Sequence, residues 1–336
     1  MKRFLVVLLM LCLLLVSCQS KGNGGETTEG TTISEPQTEA QTEAQTEAEV
    51  LKNTMNVMQF NVYYIDKETT ANNDENVTID CTVATRGPKL NAMLLGEQID
   101  IVGFQEMPVP WRKWLQNSLD SSYRFCGRAQ QCCGQGGYVA YQKDKYEAVD
   151  YGIFWLAEGA PTSAVKGWDG DHDRICTWVI FRIKATDTYF LFLDTHLDNN
   201  GATARAEGAK IIVEQGELLK QQIRTEYGQE EVPVILVGDM NCLPDSEPYN
   251  TFTAVLNDSR VHSKGATVGR DYSTSPGLRY CATEADYVRN GHLIDYVFVS
   301  KNITVNNYKM IHTSTNLCPY GEWLSDHNAV IANISF

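Results

Sequence analysis

The sequence predicts an α/β or α+β fold, a single domain of about 280 residues built on two sheets. Three observations carry that expectation. Past a polar N-terminal stretch, short apolar runs rich in β-branched and aromatic residues alternate with longer segments of helical periodicity. Hydrophobic residues make up 43% of the 336, which is enough for one large core. Several apolar runs also stop at acids, amides or histidines, as strands do when they deliver side chains to a common edge.

The first eighteen residues, MKRFLVVLLMLCLLLVSC, carry two cations and then an apolar run from Phe4 to Val16. That run is short for a membrane span and reads as an export signal. Its end, LVSC, resembles the lipobox of bacterial lipoproteins. Cys18 is therefore the expected lipidation site, anchoring an exported protein to the outer face of a bacterial membrane; an ordinary cleaved signal is the other reading. Residues 19–53 repeat QTEA three times and hold few large apolar side chains, so they are expected to stay solvated as a tether. The catalytic or binding domain is then residues 54–336, expected to act as a monomer.

The leader carries two positive charges and residues 19–50 one lysine against seven glutamates, which leaves −10 of the chain's −14 on residues 51–336. A domain this acidic lacks the general basic footprint of a protein that grips nucleic acid by its phosphates. Eight cysteines follow Cys18. Export permits disulfides among them, but their spacing does not select a pairing. Cys126, Cys132 and Cys133 lie close together with no histidine near, which suits a bridge or thiols better than a metal site.

TMNVMQFNVYY is a strand whose apolar run ends at Asn61. GPKLNAMLLGEQ reads as a helix with Pro88 in its first turn, and IDIVGFQE as a buried strand ending at Glu106. Trp111 and Trp114, three apart, line one face of a short helix or form a ligand-stacking loop. GYVAYQKDKYEAVDYGIFWLA, ICTWVIFRIK and TYFLFLDTHLD follow as strands separated by turns. The longest helix starts near Gly201, places Ile211, Ile212, Leu218, Leu219 and Ile223 on one side and stops at Gly228. VPVILVGDMNCLPDSEP is a strand that ends at Asp239 and Asn241. YVRNGHLIDYVFVS reads as a hairpin turning at Asn290 and Gly291, and SDHNAVIANISF as a last strand preceded by Asp326 and His327.

Residues two apart on a strand face the same way, so Asp239 and Asn241 project together, as do Asp194, His196 and Asp198. One Asp or Asn after a strand is an ordinary turn former. Asp295 differs, because LIDYVFV sets an acid inside an apolar strand, where burial without a partner costs kilocalories. His327 is the natural partner: an aspartate on one imidazole nitrogen fixes the tautomer and raises the basicity of the other.

The ordered set QFNV, GFQEM, DTHLD, VGDMNCLPDSEPY, LIDYVFVS and SDHNAV resembles the endonuclease/exonuclease/phosphatase superfamily over residues 54–336. The resemblance implies a deoxyribonuclease I-like four-layer sandwich, two packed mixed β-sheets flanked by helices, with a divalent-metal phosphoesterase site at one edge. It implies Mg²⁺, with Mn²⁺ as a substitute, held by Glu106 with Asn61 and Asp326. It further implies that Asp239 orients or deprotonates the attacking water, that Asn241 binds a phosphate oxygen, that His327 with Asp295 contacts the scissile phosphate, and that His196 contacts phosphate near the leaving group. Gly137 departs from the pattern, standing where some relatives carry an acid that supports the histidine at 196. Arg174 and Trp178 resemble residues of bacterial members, with packing as the other role for Trp178.

The expected activity is hydrolysis of phosphomonoesters or phosphodiesters of small molecules or lipid headgroups, outside the cytoplasm. A secreted nuclease of the same chemistry would gather Lys and Arg around the cleft, whereas Arg124 with Arg128 and Arg174 with Arg182 read as scattered surface pairs. A surface lipoprotein that binds without turnover fits the leader and tether equally well but has no use for the assembled acids and histidines.

Overall fold

Strand β1 (Thr54–Asn61) shows how this sequence makes a two-sheet core. Met55 and Val57 point to one side and join the cluster between the sheets, while Met58 and Phe60 point to the other and meet helices. The same inner face continues through Gln59 and Asn61, both fully buried. The inter-sheet layer thus changes from apolar to polar toward one edge of the molecule. The computed structural model describes residues 53–119, 121–129, 136–159, 161–283 and 292–336.

After β1 come a two-stranded ribbon, β2 (Glu68–Ala71) and β3 (Asp74–Asp80), then helix α1 (Val83–Gly96), β4 (Ile101–Gln105), α2 (Val109–Leu119), β5 (Tyr123–Ala129), β6 (Gly136–Gln142), β7 (Tyr146–Trp155), β8 (Ile175–Ile183) and β9 (Thr188–His196). Helix α3 (Ala202–Tyr227) precedes β10 (Val234–Asp239), α4 (Glu247–Val255), β11 (Leu256–Asp258), the one-turn α5 (Ser259–His262), β12 (Thr267–Val268), β13 (Asp295–Ser300), β14 (Thr304–Ile311) and β15 (Ala329–Ser335). One sheet runs β12-β14-β15-β1-β4-β6-β5 and the other β11-β13-β10-β9-β8-β7. Each is mixed, with a parallel pair at its centre, β1 with β4 and β9 with β10, and the first sheet has a second at its edge, β12 with β14. Parallel neighbours need a long crossover, which α1 and α3 supply. Helices α1 and α2 cover the outer face of the first sheet through Leu90, Met93, Trp111 and Leu115. Helices α3 and α4 cover the second through Ile212, Leu219, Ile223 and Phe252. The result is the four-layer sandwich expected above.

Several local expectations need correction. Helix α1 starts at Val83, not at Gly87, so Pro88 sits inside it. Its start is fixed from outside: Asp66 Oδ1 accepts from Val83 N at 2.7 Å, and Asp80 accepts from Thr82 N and Thr85 Oγ1. On α3, Ile212, Leu219 and Ile223 are buried as expected, but Leu218 is 63% exposed because it stands one residue off the stripe. Gly228 closes the helix in the left-handed region at φ 68°. Its first turn lacks a side-chain cap of its own, and Asp169, more than thirty residues upstream, accepts from Ala204 N and Thr203 N. Trp111 is buried against the core on α2, with the Arg86 guanidinium 4.5 Å from its ring. Cys81, Cys126, Cys176, Cys242 and Cys318 are buried thiols, packed as small apolar groups. Cys18, the tether, Cys132, Cys133 and the turn at Asn290 and Gly291 lie outside the described residues. No described helix is long and apolar enough to cross a membrane.

Gly103 of β4 faces side chains of β9 and β10 at close range. A Cβ there would stand 2.3 Å from Val237 Cγ2 and 2.6 Å from Asp194 Oδ1. Gly103→Ala is therefore expected to destabilise the protein by about 1–3 kcal/mol through overpacking, read as a lower urea midpoint with an unchanged slope.

Candidate active site

Register brings the polar inner-face residues to one level. On the second sheet Asp295 pairs with Asp239, and Asp239 with His196, so three strands present these side chains side by side. On the first sheet Asn61 pairs with Gln105, and Glu106 follows at the strand end. Asp326 and His327 arrive just before β15, which pairs with β1. Seven of the eight residues expected at the site meet across this edge through contacts or charge. Asn241 completes the set by donating its backbone N–H to Asp239 Oδ1 at 3.0 Å.

The contacts divide into two groups. His327 Nδ1 lies 2.9 Å from Asp295 Oδ2, and Nε2 lies 3.3 Å from Ser275 Oγ and 3.7 Å from Asp239 Oδ2. Asp239 Oδ2 also accepts from Asn61 Nδ2 at 3.1 Å and stands 3.4 Å from His196 Nε2. Asp239, Asp295 and His327 offer three ligand atoms within 4.8 Å of one another. Because Asp295 and His327 hold each other, that trio reads as a base beside an oriented imidazole.

The second group is Glu106 with Asp326. Glu106 Oε2 accepts from Tyr64 N at 3.2 Å and its backbone is left-handed at φ 57°; Asn241 is similarly strained at φ 45°. Non-glycine residues held there mark positions that the surrounding structure over-determines, often at functional sites. Glu106, Asp326 and the Asn61 carbonyl offer only oxygen, the donor set that Mg²⁺ prefers. Desolvation pushes Asp326 up to about 6, with the charge of Glu106 adding to it against the pull of His327 and Arg86. Two carboxylates that repel in this way are what a divalent cation would relieve, so these residues fit one.

Protonation follows from the same neighbours. Burial opposes charge on His327, yet Asp295, the hydrogen bond to it, Asp239 and Asp326 together hold the imidazole well above the usual histidine range. Burial, Arg174, His327 and His172 push His196 well below that range, leaving it neutral. Burial and then Asp295 raise Asp239 to about 7, against His327, Asn61 and Asn241. The arrangement can therefore bind an oxyanion at an imidazolium and take a proton at Asp239.

Thr274, Ser325 and Arg86 were not legible in the sequence, and Arg174 and Asp198, both singled out there, take surroundings that it did not show. Arg174 is 6% exposed, so it is not the scattered surface charge expected above; its Nε lies 3.9 Å from Asp198 Oδ2 and Nη2 3.3 Å from Asn199 Oδ1. Asp198 accepts backbone N–H groups from Asp171, His172, Asn200 and Gly201, which fixes both loops around that arginine. Thr274 Oγ1 accepts from Ile294 N and Asp295 N, and Ser325 Oγ donates to Asn61 O while accepting from His327 N. Arg86 donates to five carbonyls, those of Cys81, Val62, Leu324, Tyr63 and Ile65, and so ties down the loop after Asn61. Gly137 leaves His196 without an acid from β6: a Cβ there would meet Asp194 Oδ2 and Thr177 Oγ1 instead. Trp178 packs over Gly152 on the outer face, the packing role.

Residues 58–327 match the family model described as endonuclease/exonuclease/phosphatase family. Among solved structures, a Bacteroides vulgatus endonuclease/exonuclease/phosphatase is 26% identical with a TM-score of 0.67, covering 84% of this chain and 99% of that one. A Bacteroides thetaiotaomicron mannosyl-6-phosphatase is 25% identical with a TM-score of 0.65, covering 84% of this chain and all of that one, 100%. The human nocturnin catalytic domain, 18% identical with a TM-score of 0.57, covers 84% of this chain and 94% of its own and shares the fold. A search of curated proteins finds no match.

Proposed function

The chain belongs to the endonuclease/exonuclease/phosphatase family and is a metal-dependent phosphoesterase; from that premise we propose that it hydrolyses phosphate esters of small polar molecules outside the cytoplasm, using Mg²⁺. The observation that carries the residue roles is the convergence of Asp239, Asn61, His196, His327 and Asp295 beside Glu106 and Asp326. Glu106, Asp326 and Asn61 are the residues that would hold the cation. When bound, it neutralises charge developing on the ester oxygens.

The chain's own groups do the rest. Asp239, fixed by Asn61 Nδ2 and by the backbone of Asn241, takes a proton from the attacking water. His327 is charged and held by Asp295, and its Nε2–H faces a nonbridging phosphate oxygen, displacing its contact with Ser275. The amide of Asn241 binds a second oxygen. Neutral His196 and buried Arg174 lie on the far side of Asp239 from Asp295, where the leaving group departs.

The substrate reading rests on a cavity of about 750 Å³ that shares no lining residue with the groups above and is related to them through Trp155, the strand partner of Ile175 next to Arg174; Trp168, Glu158, Glu214, Gln215 and Arg128 also line it. Glu158 and Glu214 repel a polyanionic backbone, while ring faces and an amide suit an uncharged polyol. The similar mannosyl-6-phosphatase supports a sugar phosphate over a nucleic acid. A panel assay with Mg²⁺ or Mn²⁺ against sugar phosphates, nucleotides, inositol phosphates, sphingomyelin, RNA and plasmid DNA tests it. Efficient cutting of DNA with small esters untouched would reverse the preference.

Export and attachment through Cys18 are supported by the leader alone. Cys18→Ser is expected to move the protein from the detergent phase to the aqueous phase. The cation makes a separate prediction. Asp326 must be ionised to act as a ligand, so Mg²⁺ affinity in calorimetry is expected to fall about tenfold per pH unit below about pH 6 and to level off above it.

A further inference from the structure

Beneath the catalytic level runs a second row of polar side chains, fully buried between the sheets. Gln59 Nε2 donates both to Asp295 Oδ1 and to Gln105 Oε1, each at 2.7 Å. Gln105 Nε2 in turn donates to Asp194 Oδ1 at 2.6 Å. The chain therefore begins at the carboxylate that holds His327 and ends at a second carboxyl deep in the core, crossing from one sheet to the other twice. Gln59, Gln105 and Asp194 are all 0% exposed.

We propose that Gln59, Gln105 and Asp194 are positioning residues for Asp295: the Asp295 carboxylate, held against His327, accepts only, so Gln59 turns its N–H to it, Gln105 turns its oxygen to Gln59 and its N–H to Asp194, and Asp295 keeps its other oxygen for His327. The inference rests on the role of Asp295 and His327 proposed above. Its force comes from what the reversed arrangement would meet. Turning Gln105 alone sets its oxygen 2.6 Å from Asp194 Oδ1 and its nitrogen 2.7 Å from the Gln59 nitrogen, like against like at both contacts. Turning both amides repairs the contact between them but aims an oxygen at the Asp295 carboxylate.

The arrangement is costly to keep. Gln59 Oε1 and Asp194 Oδ2 are buried without a hydrogen-bond partner, which costs stability. A core selected for stability alone would fill this layer with apolar side chains, as it does further along the same inner faces at Val57, two residues before Gln59, Phe192, two before Asp194, and Ile101, four before Gln105. The room for Asp194 is also kept by Gly103 and Gly137, where a Cβ would stand 2.6 Å from Oδ1 and 3.3 Å from Oδ2.

The test compares Asp194→Leu, which removes the acceptor at similar volume, with Asp194→Asn, which keeps an oxygen for Gln105. Two readouts are taken on the full chain: kcat and KM, and the proton resonance of His327 Nδ1–H, which needs no turnover. Asp194→Leu is expected to lower kcat by about 10–100-fold with little change in KM and to shift or broaden that resonance. Asp194→Asn stays near the parent in both. Gln59→Met gives the same pattern, and combining it with Asp194→Leu adds nothing further. Should Asp194→Leu fail to fold, Gln59→Met alone carries the test. An unchanged His327 resonance in either folded variant, or effects that add in the double variant, overturns the proposal. A moved resonance in a protein inactive on every ester would instead leave the chain standing and sink the function proposed above.

Discussion

Replacing Asp239 by asparagine is expected to lower kcat by about 10³-fold, with the fold and phosphate binding intact. The size follows from what general bases contribute, about 10²–10⁴-fold, and from the four groups that Asp239 serves at once. Its two oxygens take hydrogen bonds from Asn61 Nδ2 and Asn241 N and face His196 and His327. Asparagine keeps the shape and can still accept at one oxygen, so the strand end need not rearrange. It cannot take a proton from water. Burial and Asp295 raise the carboxyl to about 7, so the cost of ionising it in the folded metal-free protein is relieved in the variant. The sign is definite: a carboxyl raised from about 4 to about 7 destabilises the fold increasingly as pH rises through that window and fully above it. Asp239→Asn is therefore expected to melt higher than the parent at pH 8 without metal, and no higher at pH 4, in a scanning calorimeter. A variant with lost turnover, raised stability and unaltered inorganic phosphate binding separates catalysis from a binding-only lipoprotein. Unimpaired turnover would remove Asp239 from the mechanism.

Asp239 was visible in the sequence because a strand end is a local event. VPVILVGD is apolar without interruption and then stops, and the same signal exposed Asn61, Glu106, His196 and the Asp326–His327 pair. Asp295 was visible for the opposite reason, an acid where burial forbids one without a partner. The alternation that places these groups on the inner faces also places Gln59, Gln105 and Asp194 there, yet nothing local distinguishes an inward glutamine from a solvated one on an exposed face. Their roles depend on pairing between strands far apart in the chain, since Gln59 meets Asp295 across 236 residues. Arg174 was misread for that reason. Its surroundings are set by Asp198, whose four backbone donors come from two loops that the sequence leaves unassigned. The start of α3 shows the same limit: Gly201 has no side chain to accept from the first turn, and the carboxylate that does so comes from Asp169. Strand ends and periodicity are written in neighbours, whereas loop anchors are written in the tertiary structure.

Glu106→Gln is expected to cost at least about 100-fold in Mg²⁺ affinity and to abolish turnover at micromolar Mg²⁺, with partial recovery at tens of millimolar. Glutamine keeps an oxygen in place and can still accept from Tyr64 N, so the left-handed backbone at residue 106 retains its anchor. What it removes is one negative charge facing Asp326. That charge helps raise Asp326 to about 6, so without metal an ionised Asp326 destabilises the fold above that pH and does so less when Glu106 is neutral. The metal-free variant is thus expected to melt higher than the parent at pH 7.5 and equally at pH 5, where Asp326 is already protonated. Adding Mg²⁺ at about 100 times the parent's measured Kd should reverse the order, because ligand stabilisation of about 2.7 kcal/mol at that ratio accrues to the parent and is largely lost in the variant. The crossing of the two melting curves with and without Mg²⁺ reports cation binding at this carboxylate directly, independent of any substrate. If both proteins gain equally from Mg²⁺, Glu106 does not hold the cation, and the Asp239, Asp295 and His327 trio becomes the site to test.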